Sequence, residues 1–196
     1  MPADALRGGD GGQAAAPVVV LDRDGVINHE SADFIRTAGE WRPIDGSLAA
    51  IARLTAAGFR VFVATNQSGV GRGLIAPADL AAIHARMLAA VEATGGRIEG
   101  IYFCPHAPGE GCECRKPAPG LLRQIEAATG TSLAGAPVVG DSARDLDAAR
   151  TVGARALLVR TGNGAATERT LAAPVEVFDD LAAVADRLIA ERAARR

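Results

Sequence analysis

The sequence predicts an α/β fold, a Rossmann-like parallel sheet with helices on both faces. Three observations predict it. Short β-branched apolar runs, such as "PVVVLD" at 17–22 and "RVFVAT" at 60–65, have the continuous hydrophobicity of strands buried on both faces. Segments of helical spacing that end in glycine alternate with them. No apolar run approaches the roughly 20 residues that span a bilayer.

The elements follow in order. After the first strand, "DGSLAAIARLTAAG" (45–58) reads as a helix, with Ser47 as its cap and Gly58 as its stop. The second strand, 60–65, precedes a long amphipathic helix, 76–96, that closes on Gly-Gly. "IEGIYF" (98–103) is a strand leading into a cysteine-rich loop. Residues 118–130 form a helix with proline near its start and glycine at its end. Strand 136–141, helix 143–153, strand 155–160, strand 174–178 and helix 179–196 complete the alternation. Residues 1–16 are small, polar and Gly-rich. They lack the basic start and apolar core of a signal peptide and read as a disordered tail. The rest, 17–196, reads as one domain.

Net charge is −2, with both signs interspersed, so no basic nucleic-acid footprint is expected. Neither is a membrane partner. The three cysteines, Cys104, Cys112 and Cys114, all lie in "CPHAPGEGCECRKP" (104–117), with His106 among them. Without an export signal, a cytoplasmic protein is expected, where clustered cysteines mean metal or catalysis more often than a disulfide.

In parallel sheets of this kind the ligand sits beyond the carboxyl ends of the strands. There the sequence places Asp22 and Asp24 ("DRDGVIN"), Thr65 ("TNQSGVGRG"), Arg115 and Lys116 ("CRKPAPG"), and Asp141 and Asp145 ("GDSARD"). Buried carboxylates this close need a counter-charge, and a hard divalent cation supplies one. A hydroxyl, a lysine, an arginine and glycine-freed amides suit a phosphoryl group.

Those four segments, in this order, resemble the four motifs of the haloacid dehalogenase superfamily. Together with the Cys/His loop they resemble the D-glycero-D-manno-heptose-1,7-bisphosphate phosphatase family, close to the histidinol-phosphate phosphatases. The resemblance runs from about Val18 to Gly164. It implies a haloacid dehalogenase fold without a large cap, since only about forty residues separate the first two motifs. It implies a Mg²⁺-dependent phosphatase acting on a phosphorylated sugar. Asp22 would be the nucleophile and Asp24 the acid and base. Thr65 and Lys116 would hold the phosphoryl oxygens, and Asp22, Asp24 and Asp141 the Mg²⁺. Arg23, Glu30, Ser31, Ala32, Asp33, Asn66, Gln67, Ser68, Arg115 and Ser142 would meet the substrate. The chain departs from the family pattern at Ser142, where a better-known form has lysine. It departs again at "HESADFI" (29–35), where a Gly-aromatic pair is expected.

Cys104, His106, Cys112 and Cys114 make a Cys₃His set suited to a closed, structural Zn²⁺. A disulfide, a redox pair and a plain loop are the alternatives. A zinc-bound loop would fix where Arg115 and Lys116 point. His84 is expected at the helix surface or at a helix contact and Trp41 in packing; "TGNG" (161–164), which follows a strand end, is expected as a turn, with a place on the rim of the site as the alternative. A histidinol-phosphate phosphatase is the competing enzyme; a silent scaffold and a DNA-end phosphatase are weaker readings. The protein is expected to be a monomer.

Overall fold

The computed structural model describes residues 16–195. The tail expected at 1–16 therefore lies outside the described residues, except for Ala16. Six strands, β1 (Val18–Leu21), β2 (Arg60–Asn66), β3 (Gly100–Cys104), β4 (Pro137–Gly140), β5 (Arg155–Val159) and β6 (Glu176–Phe178), form one sheet. Its order is β3-β2-β1-β4-β5-β6, with every neighbouring pair parallel. From β1 the chain winds outward to β3, then returns to the other side of β1 as β4. The switch point lies between β1 and β4, where a crevice opens at the strand ends.

The period-two alternation of the strands sorts their side chains onto two cores. Val19 and Leu21 of β1, Val61 and Val63 of β2, and Leu157 and Val159 of β5 share one. It is covered by α1 (Ser47–Ala56), α3 (Pro77–Ala93) and α7 (Leu181–Ala194). Val18, Val20, Phe62 and Ala64 face the other, under α4 (Gly120–Thr129) and α5 (Ala143–Thr151). On α3 the buried residues Leu80, Ile83, His84, Met87 and Val91 recur at i, i+3, i+4 and i+7, one stripe of an amphipathic helix. Among the described residues no helix is long and apolar enough to cross a membrane.

Two short helices, α2 (Ser68–Gly71) and α6 (Gly164–Glu168), have no counterpart in the sequence reading. Four or five residues are too few to show a helical period. Ser47 does not cap α1. Gly46 takes the N-cap with φ +82°, and the Ser47 hydroxyl donates instead to the Ile27 carbonyl at 2.6 Å. The hydroxyl thus ties α1 to the loop after β1.

Candidate active site

The ends of β1 and β4 bring three carboxylates together. Oxygen atoms of Asp22, Asp141 and Asp145 all lie within 4.8 Å of one another. One cation is set among them. Lys116 Nζ lies 3.0 Å from Asp22 Oδ2 and 2.5 Å from Asp145 Oδ1, and it donates to the Ala64 carbonyl at 2.7 Å. Burial works against the Lys116 charge, but Asp145 and then Asp22 hold it protonated, above the ordinary lysine range. Burial also opposes the Asp145 charge, yet Lys116 and the Ser142 hydroxyl keep its carboxyl below the usual range. Lys116 and Asp145 therefore balance one another.

Asp22 and Asp141 are left under-compensated. Burial, against the pull of Lys116, pushes the Asp22 carboxyl up to about 8. Burial raises Asp141 to about 6, although the Asn163 N–H donates to it at 2.8 Å. Three carboxylates facing one ammonium fit a divalent cation, which would favour their ionised forms. The Asp141 carboxylate has room only because Gly25 and Gly162, both at positive φ, lie against it. A Cβ on either would come within 2.2 Å of Asp141 Oδ2.

Asp24 is held differently. Its carboxylate accepts Arg23 Nη2 at 3.0 and 2.9 Å, Arg23 Nε at 3.2 Å, Asn28 Nδ2 at 2.8 Å and Gln67 Nε2 at 2.8 Å. The Asn28 amide is itself oriented by Trp41 Nε1, 3.0 Å from Asn28 Oδ1. Trp41 is thus a packed residue with its one polar atom paired, as a buried indole requires.

Two residues expected on the substrate turn inward. Arg23 is only 1% exposed, and its guanidinium serves Asp24 and Gln67. Gln67, also buried, donates to Asp24 and to Thr65 Oγ1. The reason is physical: a guanidinium inside the protein needs a carboxylate and a carbonyl, and both are at hand. Asn66 likewise spends its amide on the Lys116 backbone, at 3.0 and 3.1 Å. The Ser142 hydroxyl is engaged with Asp145, each capping the other at the start of α5. Ser68 is buried at the start of α2. Glu30, Ser31, Ala32 and Asp33 stand exposed on the loop after β1. Glu30 accepts a hydrogen bond from the Asn163 side chain, and burial raises its carboxyl above the usual range.

Asp145, expected at the strand-end opening, pairs there with Lys116, and Asn163 of "TGNG" reaches the site at Asp141. The aspartate carries a signal, since it stands in "GDSARD" at a strand end. Asn163 carries a weaker one, since "TGNG" follows the end of β5, and its contact with Asp141 is made from that neighbouring strand's loop.

The Cys/His loop leaves the end of β3. Cys104 Sγ lies 3.5 Å from His106 Nδ1 and 3.6 Å from Cys112 Sγ; Cys114 Sγ lies 3.3 Å from His106 Nδ1 and 3.6 Å from Cys112 Sγ. A disulfide needs about 2.0 Å, so these thiols are unpaired. Atoms at zinc distances from one tetrahedral centre stand roughly 3.5–3.8 Å apart, close to this set. Burial pushes the Cys104 thiol up to about 12. At Cys112 burial is outweighed by the Arg115 N–H and the neighbouring thiols, which bring it to about 7. The loop is tied to β2 by the Gln67 N–H on the Cys104 carbonyl at 2.7 Å, and to α2 by the Gly71 N–H on the Pro105 carbonyl at 2.8 Å. Arg115 donates to the His106 carbonyl at 3.2 Å.

Comparison with known proteins agrees with this geometry. A HAD-hydrolase-like family model matches residues 113–184. A D-glycero-beta-D-manno-heptose-1,7-bisphosphate 7-phosphatase of Pseudomonas aeruginosa is 52% identical over 176 residues, 88% of this chain and 97% of that protein. The enzyme of the same name from Bordetella bronchiseptica is 49% identical, over 89% of this chain and 98% of that protein. A crystal structure of the D,D-heptose 1,7-bisphosphate phosphatase from B. bronchiseptica, complexed with magnesium and phosphate, superposes with a TM-score of 0.87. It is 48% identical and covers 89% of this chain and 99% of that one. With near-complete coverage at half identity, and with the carboxylate crevice and Cys/His loop in place, the chain belongs to the D-glycero-D-manno-heptose-1,7-bisphosphate 7-phosphatase family of haloacid dehalogenase-like hydrolases.

Proposed function

We propose that this protein removes the C7 phosphate of D-glycero-β-D-manno-heptose 1,7-bisphosphate. The observation that carries the reading is the crevice in which Asp22, Asp141, Asp145 and Lys116 meet, with Asp24 alongside. The relatives' names supply the β anomer and the position of attack, and they favour the heptose over histidinol phosphate.

In this reading an Asp22 oxygen attacks phosphorus and the bond to the C7 oxygen breaks. The Asp24 carboxylic acid gives its proton to that oxygen as it leaves. Asp24, now ionised, takes a proton from water attacking the aspartyl-phosphate, and inorganic phosphate is released. Asp22, the Asp24 carbonyl and Asp141 would hold Mg²⁺, which when bound neutralises charge on the phosphoryl oxygens. Thr65 Oγ1 and Lys116 Nζ complete that neutralisation from the protein side. Arg23 and Gln67 act by aiming Asp24 rather than by touching the sugar. Glu30, Ser31, Ala32, Asp33 and Arg115 are left at the opening to meet the sugar and its second phosphate. The Cys₃His loop would hold a structural Zn²⁺. We further take the enzyme to be a cytoplasmic monomer.

The test is phosphate release with Mg²⁺ from the α and β heptose bisphosphates and from histidinol phosphate. A preference of about 10²-fold in kcat/KM, or some 2.7 kcal/mol, for the β anomer is expected. A preference for histidinol phosphate would overturn the substrate and leave the chemistry standing.

A further inference from the structure

Asn163 stands at the N-cap of α6, where an asparagine side chain ordinarily accepts from the first turn of the helix. This one caps nothing. Its Nδ2 donates instead to Glu30 Oε2 and lies 3.3 Å from Asp141 Oδ2. One amide nitrogen thus spans two carboxylates, one at the cation site and one on the loop after β1. Asp141 does not depend on that nitrogen, because the Asn163 backbone N–H already donates to it at 2.8 Å.

The two ends of the bridge are held differently. The loop that carries Asn163 is pinned on both sides. Thr161 Oγ1 donates to the Gly25 carbonyl at 2.6 Å, and Thr167 Oγ1 to the Asp141 carbonyl at 2.9 Å. Glu30 is exposed, and the hydrogen bonds of Ser31, Asp33 and Phe34 stay within residues 31–36. The fixed residue therefore places the free one. It sets Glu30 one amide nitrogen away from Asp141, at the mouth of the crevice, with Oε1 free of hydrogen bonds among the described residues. An ionised carboxylate accepts and does not donate. It repels a phosphate and suits a hydroxyl, which a sugar supplies on almost every carbon.

We propose that Asn163 is a positioning residue: its amide sets Glu30 to accept a hydroxyl of the sugar, so that this side of the opening selects a polyhydroxyl leaving group. This rests on the sugar-phosphatase reading above. It leaves the second phosphate to the cationic side of the opening, at Arg115.

The experiment compares Asn163→Ala, Glu30→Ala and the double variant on the heptose bisphosphate and on 4-nitrophenyl phosphate, whose ring carries no hydroxyl. Asn163→Ala keeps the backbone N–H that Asp141 accepts. Its loss in kcat/KM is expected to be about fivefold greater on the heptose bisphosphate than on the aryl phosphate, and to lie more in KM than in kcat. Adding it to Glu30→Ala is expected to cost less than about twofold more, since the amide then has nothing to place. Equal losses on the two substrates, or losses that multiply in the double variant, overturn the proposal. Mg²⁺ affinity of Asn163→Ala by calorimetry is expected within about threefold of the parent. A larger loss would make the side chain a support of Asp141 and overturn the placing of Glu30. A last readout needs no turnover: the Asn163 side-chain amide resonances, by ¹⁵N NMR, shift in Glu30→Ala. Unmoved resonances overturn the contact. A shift in a protein that releases no phosphate from the heptose bisphosphate upholds the placing of Glu30 and defeats the substrate reading alone.

Discussion

Asn66 clamps the backbone of Lys116: its Oδ1 accepts the Lys116 N–H at 3.0 Å, and its Nδ2 donates to the Lys116 carbonyl at 3.1 Å. Fifty residues apart in sequence, the two join the end of β2 to the loop that carries the active-site cation. Asn66→Ala is expected to lower kcat by about 10- to 100-fold through misplacement of the ammonium, with the fold kept. Steady-state kinetics beside a melting curve checks this. An unchanged kcat would show that the salt bridges alone place Lys116.

Asp22→Asn keeps the shape of the site and removes the nucleophile. Turnover is expected to fall on the order of 10⁴-fold or more. The variant is also expected to show no phosphorylated protein after rapid acid quench with ³²P-labelled substrate. Parent-like labelling of the variant would move the nucleophile elsewhere.

Gly162→Ala places a methyl group 2.2 Å from Asp141 Oδ2, where backbone at φ +57° already disfavours a side chain. Asp141 has to move. Weakened Mg²⁺ binding by calorimetry is expected, with activity recovering in part at high Mg²⁺. A variant with parent-like affinity would remove Asp141 from the cation's ligands.

Chelation of the Cys₃His loop, or Cys114→Ser, is expected to lower kcat severalfold while leaving Mg²⁺ affinity near that of the parent. In the proposed reading the loop fixes Lys116, whereas Asp22 and Asp141 stand just beyond the ends of β1 and β4. Loss of Mg²⁺ binding together with kcat would show a general collapse of the site instead.

The raised carboxyls of Asp22, about 8, and Asp141, about 6, set a pH dependence. Between the usual carboxylate range and pH 8 the folded protein, free of metal, holds protons that the unfolded chain has already lost. Its stability therefore falls as pH rises through that window. A divalent cation binds the ionised forms, so its stabilisation grows across the same window. The rise in Tm on adding Mg²⁺ is expected to be larger at pH 8 than at pH 5. Equal rises at the two pH values would separate the cation from these carboxylates.

By itself the sequence determined the alternation of strands and helices, and the residues that stand where strands end. Apolar runs of strand length, helical spacing and glycine stops are local properties. Asp22, Thr65, Lys116 and Asp141 could be placed from them because each lies at or shortly after a strand end. The Cys₃His set was legible for the same reason, being compact in the chain. Only the tertiary structure decided which way a long side chain turns. Arg23 and Gln67 follow strand ends as a substrate contact would, yet they face inward, because Asp24 offers a partly buried carboxylate that the buried guanidinium needs. Asn163 meets Asp141 through the packing of elements distant in sequence. Such pairings depend on how sheet and helices stack, and no spacing along the chain encodes them.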